Sequence, residues 1–246
     1  MNRILAAACL ACLSSTALAG SFDITSLQNL DQQQFHELTQ DMGAALSYKP
    51  LEPADPLGVG GFDIGVVLTG TSLANTSDIN PAINNSSVFS VVPVPTVRAT
   101  LGLPYDLDFG AMYSRVPSSD VNLWGADLKW AVLPGGIAIP AVALRASVTR
   151  LDGVNQLGFE TIGADVSVSK GILNLTPYAG VGGVWTRSDP SDVISKVSGQ
   201  PLQQDNPTQA KLFIGCGINL GVADVTVEAD VTGGIASFSA KLGFRF

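Results

Sequence analysis

From residue 61 to the C-terminus the chain alternates apolar and polar side chains with a period of two, and the last strand shows it without a break. Phe238, Ala240, Leu242, Phe244 and Phe246 stand against Ser237, Ser239, Lys241, Gly243 and Arg245. That period puts one set of side chains on each face of a β-strand. Read between Gly, Pro, Asn and Asp punctuation, it recurs as about ten segments. The first half gives the apolar ladders Phe62/Ile64/Val66/Leu68, Val97/Ala99/Leu101/Leu103, Leu107/Phe109/Ala111/Tyr113, Trp124/Ala126/Leu128/Trp130/Val132 and Pro140/Val142/Leu144/Ala146/Val148. The second gives Ile162/Ala164/Val166/Val168, Leu175/Pro177/Ala179/Val181/Trp185, Leu212/Ile214/Cys216/Ile218, Val225/Val227/Ala229/Val231 and the terminal ladder. Glu160 falls on the apolar parity of the sixth strand, and Pro177 lies inside the seventh; both point to a bulge or a misplaced boundary.

Strands with one apolar and one polar face build either a soluble barrel or sandwich with the apolar face inward, or a membrane barrel with it outward. Composition favours the second: 46% hydrophobic residues and only 14% charged, against roughly 25% charged in a typical soluble chain. Aromatics fall near both ends of the ladders, with Phe62, Phe109, Trp130, Phe244 and Phe246 at one end and Tyr113, Trp124, Trp185 and Phe238 at the other. Two interfacial girdles have this distribution. Connections alternate in length as well. Pro104-Tyr105-Asp106, Pro134-Gly135-Gly136, Lys170-Gly171 and Gly221 mark tight turns at every second junction, while residues 71–95 and 188–208 are long polar connections. Beyond the N-terminus the longest apolar stretch, residues 131–144, is interrupted by Pro134, Gly135, Gly136 and Pro140, which excludes a helical span.

The N-terminus carries a secretion pattern: Met1-Asn2-Arg3, an apolar run over residues 4–13, and Ala17-Leu18-Ala19 before Gly20. Cleavage there removes Cys9 and Cys12 and leaves Cys216 as the single mature cysteine, so no intrachain disulfide is expected. The expected organisation is a signal peptide over 1–19, an N-terminal amphipathic helix and Pro-rich lead over 20–60, and an all-β, antiparallel transmembrane barrel over 61–246. Its strand number is about ten, with eight and twelve as the neighbouring even counts.

Inward parity sends Asp63, Arg98, Asp108, Asp127, Lys129, Arg145, Asp165, Lys211, Asp224, Glu228, Asp230, Lys241 and Arg245 into the lumen. Hairpin register predicts diagonal pairs of Glu228 with Lys241, Asp224 with Lys241 and Arg245, and Arg145 with Asp127, with Asp63 meeting Arg245 at closure. Such charges either fill a narrow interior with salt bridges or form a constriction that filters solutes. Inward glycines, including Gly65, Gly102, Gly110, Gly163, Gly180, Gly182, Gly215 and Gly217, are expected to leave room on the wall for water, a solute or the N-terminal segment.

In that segment Ser26 is placed to cap a helix of about five turns with Leu27, Leu30, Phe35, Leu38, Met42 and Ala45 on one face. Lys49-Pro50-Leu51-Glu52-Pro53-Ala54-Asp55-Pro56 then forbids helix and leads into the first strand. The segment is suited to plug the lumen, to cover the periplasmic opening or to bind a periplasmic partner. Chemistry is sparse. The single His36 lies in the helix, here taken as periplasmic, and no strand supplies a histidine for proton transfer, so catalysis is not expected. Ser188-Asp189-Pro190-Ser191-Asp192 with Asp205 matches no calcium cage, and neither zinc spacing nor a phosphate loop is present, so no metal or cofactor is expected. A net charge of −8 argues against nucleic acid.

On the terminal ladder Phe238, Ala240, Leu242, Phe244 and Phe246, the girdles and the signal, the chain resembles the bacterial outer-membrane β-barrel proteins over nearly all of 61–246. The resemblance implies a Gram-negative outer membrane, contact with its lipid, and a final strand that the barrel assembly machinery reads. It carries no activity. The function expected is a passive, porin-like channel or transporter for small solutes, with a filled structural or surface-interaction barrel as the alternative.

Overall fold

The computed structural model describes residues 30–72, 91–115, 121–154, 157–190 and 202–246. The secretion pattern over 1–19, Ser26 and Leu27, most of 71–95 and the span from Ser191 to 201 lie outside them. Among the described residues one helix, α1 (Gln32–Leu46), precedes ten strands: β1 (Phe62–Ser72), β2 (Val91–Leu103), β3 (Leu107–Arg115), β4 (Asn122–Leu133), β5 (Ala141–Asp152), β6 (Leu157–Ser169), β7 (Leu175–Pro190), β8 (Thr208–Asn219), β9 (Ala223–Thr232) and β10 (Ile235–Arg245). Each strand pairs antiparallel with its sequence neighbours, and β1 pairs with β10, so the sheet closes on itself. Closure leaves no strand edge unpaired, the condition for crossing lipid with strands. Phe62 and Phe246 exchange both backbone bonds at 2.9 Å, and their rings stack at 4.9 Å.

The apolar ladders face outward. Phe62, Ile64, Val66 and Leu68 are exposed while Asp63, Val67 and Thr69 between them are buried, and β10 repeats the pattern with Phe238, Leu242 and Phe244 outside and Ser237, Ser239 and Lys241 inside. This is the reverse of a soluble barrel. All nine girdle aromatics named from the sequence point out. The near end, where β1 begins and β10 ends, carries the tight β2–β3, β4–β5, β6–β7 and β8–β9 turns. The far end carries the other connections, including the Gly233-Gly234 turn with both φ values positive, a geometry that glycine adopts without steric cost.

Two local expectations change. β6 runs through Glu160 without a bulge: Glu160 faces outward opposite Arg150 of β5 and Arg187 of β7, toward the far end from Ile162 and Trp185. The parity reading assumed an apolar outer face over the whole strand, whereas the charged row begins where the apolar band ends. The register shift that does occur lies in β4–β5, between Trp130 and Leu133. Pro177 sits within β7, in register with Cys216.

Candidate functional site: the lumen and the segment that crosses it

Helix α1 is capped by Asp31, and Ser26, expected as the cap, lies outside the described residues. Asp31 Oδ1 accepts the Gln34 amide at 2.8 Å, and Gln34 Oε1 accepts the Asp31 amide at 3.1 Å, closing a capping box. Its last turn ends at Ser47, whose amide donates to Gly43 O at 3.1 Å, because extended backbone at Ser47 and Pro50 beyond it stop the helix.

Exposure along the segment traces its path: Asp31 to Gln33 are exposed, residues 47–54 are buried, residues 55–58 are half-buried and Val59 is exposed again. The segment therefore runs through the barrel from far mouth to near mouth. The helix lies inside the far half of the barrel rather than beneath the near opening. His36 accordingly stands at the far mouth, with Nδ1 2.8 Å from Asp205 Oδ2 on the β7–β8 connection and Nε2 2.9 Å from Gln40 Nε2. Gln32 and Gln203 exchange two further bonds at 2.9 and 3.3 Å.

The far half of the lumen is apolar along β4 to β6, while the facing wall carries the buried polar side chains Thr186, Gln209, Thr232 and Ser237. Leu30, Phe35, Leu38 and Met42 pack against Leu123 of β4, Leu151 of β5, Leu157 and Phe159 of β6, and Leu202. The helix stripe was legible in the sequence, but its counterpart was not. Leu123, Leu151, Leu157 and Phe159 occupy inward positions, where a wet lumen calls for polar groups, and that breach of the alternation was the available signal.

The near half is ionic, and its partners differ from those expected. Residues 48–57 hold no regular secondary structure, so their backbone groups need partners elsewhere. The wall provides them. The amides of Leu51, Ala54 and Leu57 donate to Glu228 Oε2 (2.8 Å), Ser169 Oγ (3.0 Å) and Asp108 Oδ2 (3.1 Å). The carbonyls of Tyr48 and Lys49 accept from Lys211 Nζ (2.6 Å) and Arg98 Nη1 (2.9 Å), and those of Pro53 and Asp55 from Lys129 Nζ (3.1 and 3.0 Å). Pro50, Pro53 and Pro56 carry no amide hydrogen, so each donating residue directly follows one that needs no acceptor.

Side chains three apart complete the fit. Lys49 Nζ lies 2.8 Å from Asp230 Oδ1 and also reaches Ala44 O (2.8 Å) and Ser237 Oγ (3.2 Å). Glu52 Oε1 lies 2.7 Å from Arg145 Nη2 and 3.0 Å from Arg98 Nη2, with Lys129 Nζ 3.9 Å from Oε2. Asp55 meets Arg245 at 3.1 Å. The Tyr48 hydroxyl donates to Asp127, and its ring lies under the Arg98 guanidinium. Leu51, at φ +50° and 2% exposed, holds a left-handed backbone rare for a side chain of its kind.

Twelve of the thirteen predicted wall charges are buried or enter one of these contacts, while Asp165 of β6 is half-buried beside Arg145 of β5. The predicted pair of Arg145 with Asp127 forms at 3.1 Å, and Asp224 with Lys241 at 3.0 Å. Others do not form. Glu228 takes the Leu51 amide and the Tyr178 hydroxyl in place of Lys241. Asp63 lies in register with Arg245 but pairs with Lys241, which leaves Arg245 to Asp55. Register fixes wall neighbours, and it is silent on a third body entering between them.

The inward glycines do not leave open space. A methyl group at Gly110 would collide with Asp127 and meet Tyr48 Oη at 2.9 Å, and one at Gly217 would touch Pro53 at 3.4 Å. At Gly102 and Gly110 the bare backbone leaves room for Gly58 and Tyr48 of the segment, whereas Gly65, Gly163, Gly180, Gly182 and Gly215 are closed by neighbouring atoms of the wall. A void of about 30 Å³ beside Leu46, Ser47 and Lys49, bounded by Val67, Thr96 and Met112, has room for about one or two waters. Among the described residues no cluster of His, Cys, Asp or Glu forms a metal site. Asp205 is engaged by His36 and Asp189 lies 3.6 Å from Arg187, while Ser191 and Asp192 fall outside the described residues.

No family model and no curated protein matches the sequence. Among solved structures the fold is similar to outer membrane protein OprG of Pseudomonas aeruginosa, with 10% identity over 79% of this chain and 99% of that one at a TM-score of 0.37. It is also similar to Neisserial surface protein A, with 10% identity over 75% and 94% at 0.30. Ail of Yersinia pestis gives 8% identity over 76% and 99% at 0.30. These likenesses concern the barrel alone.

Proposed function

We propose that the chain, whose closed ten-strand barrel has the architecture of bacterial outer-membrane proteins, is a channel for small polar solutes held shut by its own N-terminal segment. The near end with its tight turns faces the periplasm, the far end faces outside, and the signal over 1–19 directs export. The terminal ladder from Phe238 to Phe246 is offered to the assembly machinery.

One observation carries the reading: the wall's ionic groups grip the backbone and side chains of the N-terminal segment in addition to pairing with each other. A permanent filling is served as well or better by apolar packing, because desolvation offsets much of the gain from buried ion pairs. Withdrawal of residues 48–57 would leave a wall of hydrophilic groups, several of them already paired among themselves as Lys129–Asp108 and Lys241–Asp224 are. Water would then wet a path between the mouths. Catalysis has no place in this reading, since His36 stands at the far mouth with Asp205 and Gln40.

Single-channel recording of the refolded mature protein, with and without residues 20–57, tests the proposal. Full-length protein should stay silent and the truncated barrel should show discrete steps. Silence in both would favour a structural or surface-interaction barrel, a reading supported by the fullness of the lumen itself.

A further inference from the structure

Glu52 sits where three cations from three different strands converge. Arg98 of β2 and Arg145 of β5 both reach Oε1, and Lys129 of β4 faces Oε2. All three are at least nine-tenths buried. Arg145 Nη1 has no hydrogen-bond partner among the described residues, so the seat keeps a spare donor. We infer that this seat is a binding site for the carboxylate of a small solute, which Glu52 occupies when the barrel is closed. The inference rests on the channel reading and names its solute class.

The charges around the seat set the class. Without Glu52, Arg98, Lys129 and Arg145 face the wall carboxylates Asp108 and Asp127, which pair with Lys129 at 2.9 Å and Arg145 at 3.1 Å. Three cations against these two contacting carboxylates leave one positive charge at contact distance, and Asp165, in register with Arg145, is the next acid out. That balance fits a monoanionic head and disfavours a phosphate dianion, which would meet both acids at close range. Guanidinium donors suit the planar carboxylate, and their burial strengthens the bond relative to water. A solute reaching this seat competes directly with the segment, so occupancy and opening are linked.

The test uses the full mature chain carrying Glu52→Ala, refolded into lipid vesicles. Unfolding midpoint and refolding yield are followed against sodium acetate, with sodium chloride and sodium phosphate at matched ionic strength. Acetate should restore both, raising the midpoint by about 3–5 °C for each tenfold increase above its dissociation constant. Chloride and phosphate should do far less, and wild type should not respond. Absence of an acetate effect in either readout, or an equal effect of phosphate, overturns the carboxylate seat. Vesicle swelling by the same variant with sodium lactate and with an uncharged sugar of similar size separates the two claims. Faster entry of lactate supports the assignment, and equal or faster entry of the sugar overturns the solute class while the channel stands. Acetate rescue with no swelling in either solute removes the passage but keeps the seat.

Discussion

The two halves of the lumen hold the same segment by opposite physics. In the far half a helix buries Phe35, Leu38 and Met42 against leucines and a phenylalanine of the wall, an attachment without direction that grows with the apolar area removed from water. In the near half an irregular stretch is gripped group by group, with amides, carbonyls and side chains each meeting a named partner. An apolar contact tolerates small displacements, whereas an ionic one loses its hydrogen bonds within an ångström or so. The near half therefore sets the register of the segment, and the far half supplies adhesion.

The largest expected effect comes from unpairing the near half. Arg145→Ala takes one cation from both Glu52 and Asp127 in the lumen, and loss of one partner of a buried pair costs about 3–5 kcal/mol. Urea unfolding in lipid vesicles, followed by fluorescence of Trp124, Trp130 and Trp185, should show the loss. A change under about 1 kcal/mol would mean that the network contributes little, and the contrast between the halves would fall.

Phe35→Ala tests the other half. Phe35 has no exposed surface, and its truncation should cost about 3 kcal/mol through lost burial and a cavity. The effect should differ in kind. Amide exchange should rise along α1 while residues 48–57 stay protected, because their partners are untouched; equal acceleration in both stretches would show one cooperative unit instead of two.

The barrel was legible in the sequence because parity is a local property: lipid demands an apolar side chain at every second position, and the ladders from Phe62 to Phe246 state that directly. The thirteen inward charges were legible for the same reason. Their partners were not, since a wall residue's register says nothing of what passes through the lumen. Yet two signals were present. Leu123, Leu151, Leu157 and Phe159 broke the polar face on neighbouring strands, and Lys49, Glu52 and Asp55 recur three apart between prolines. The cap of α1 was missed because Ser26 and Asp31 both qualify as caps, and only Asp31 has Gln34 three residues on to close the box. Removing that cap is the next step down in magnitude. Asp31→Ala should cost about 1 kcal/mol of helix stability, read as faster exchange of the first-turn amides with an unchanged barrel midpoint.

The smallest effect is expected at the far mouth. The His36 and Asp205 side chains are 44% and 17% exposed, so their contact sits partly in water, and a pair of that kind is worth about 0–1 kcal/mol. His36→Ala should leave the unfolding midpoint within about 0.5 kcal/mol of wild type, because Leu30, Phe35 and Leu202 still hold the helix beneath the connection. Its effect should be local, with faster exchange of the Asp205 amide, which bonds Ser188 O at 3.0 Å. A global loss comparable with that of Arg145→Ala would place the decisive grip at the mouth. The polar latch would then outweigh the apolar packing below it, and the division into an adhesive far half and a register-setting near half would have to be redrawn around His36.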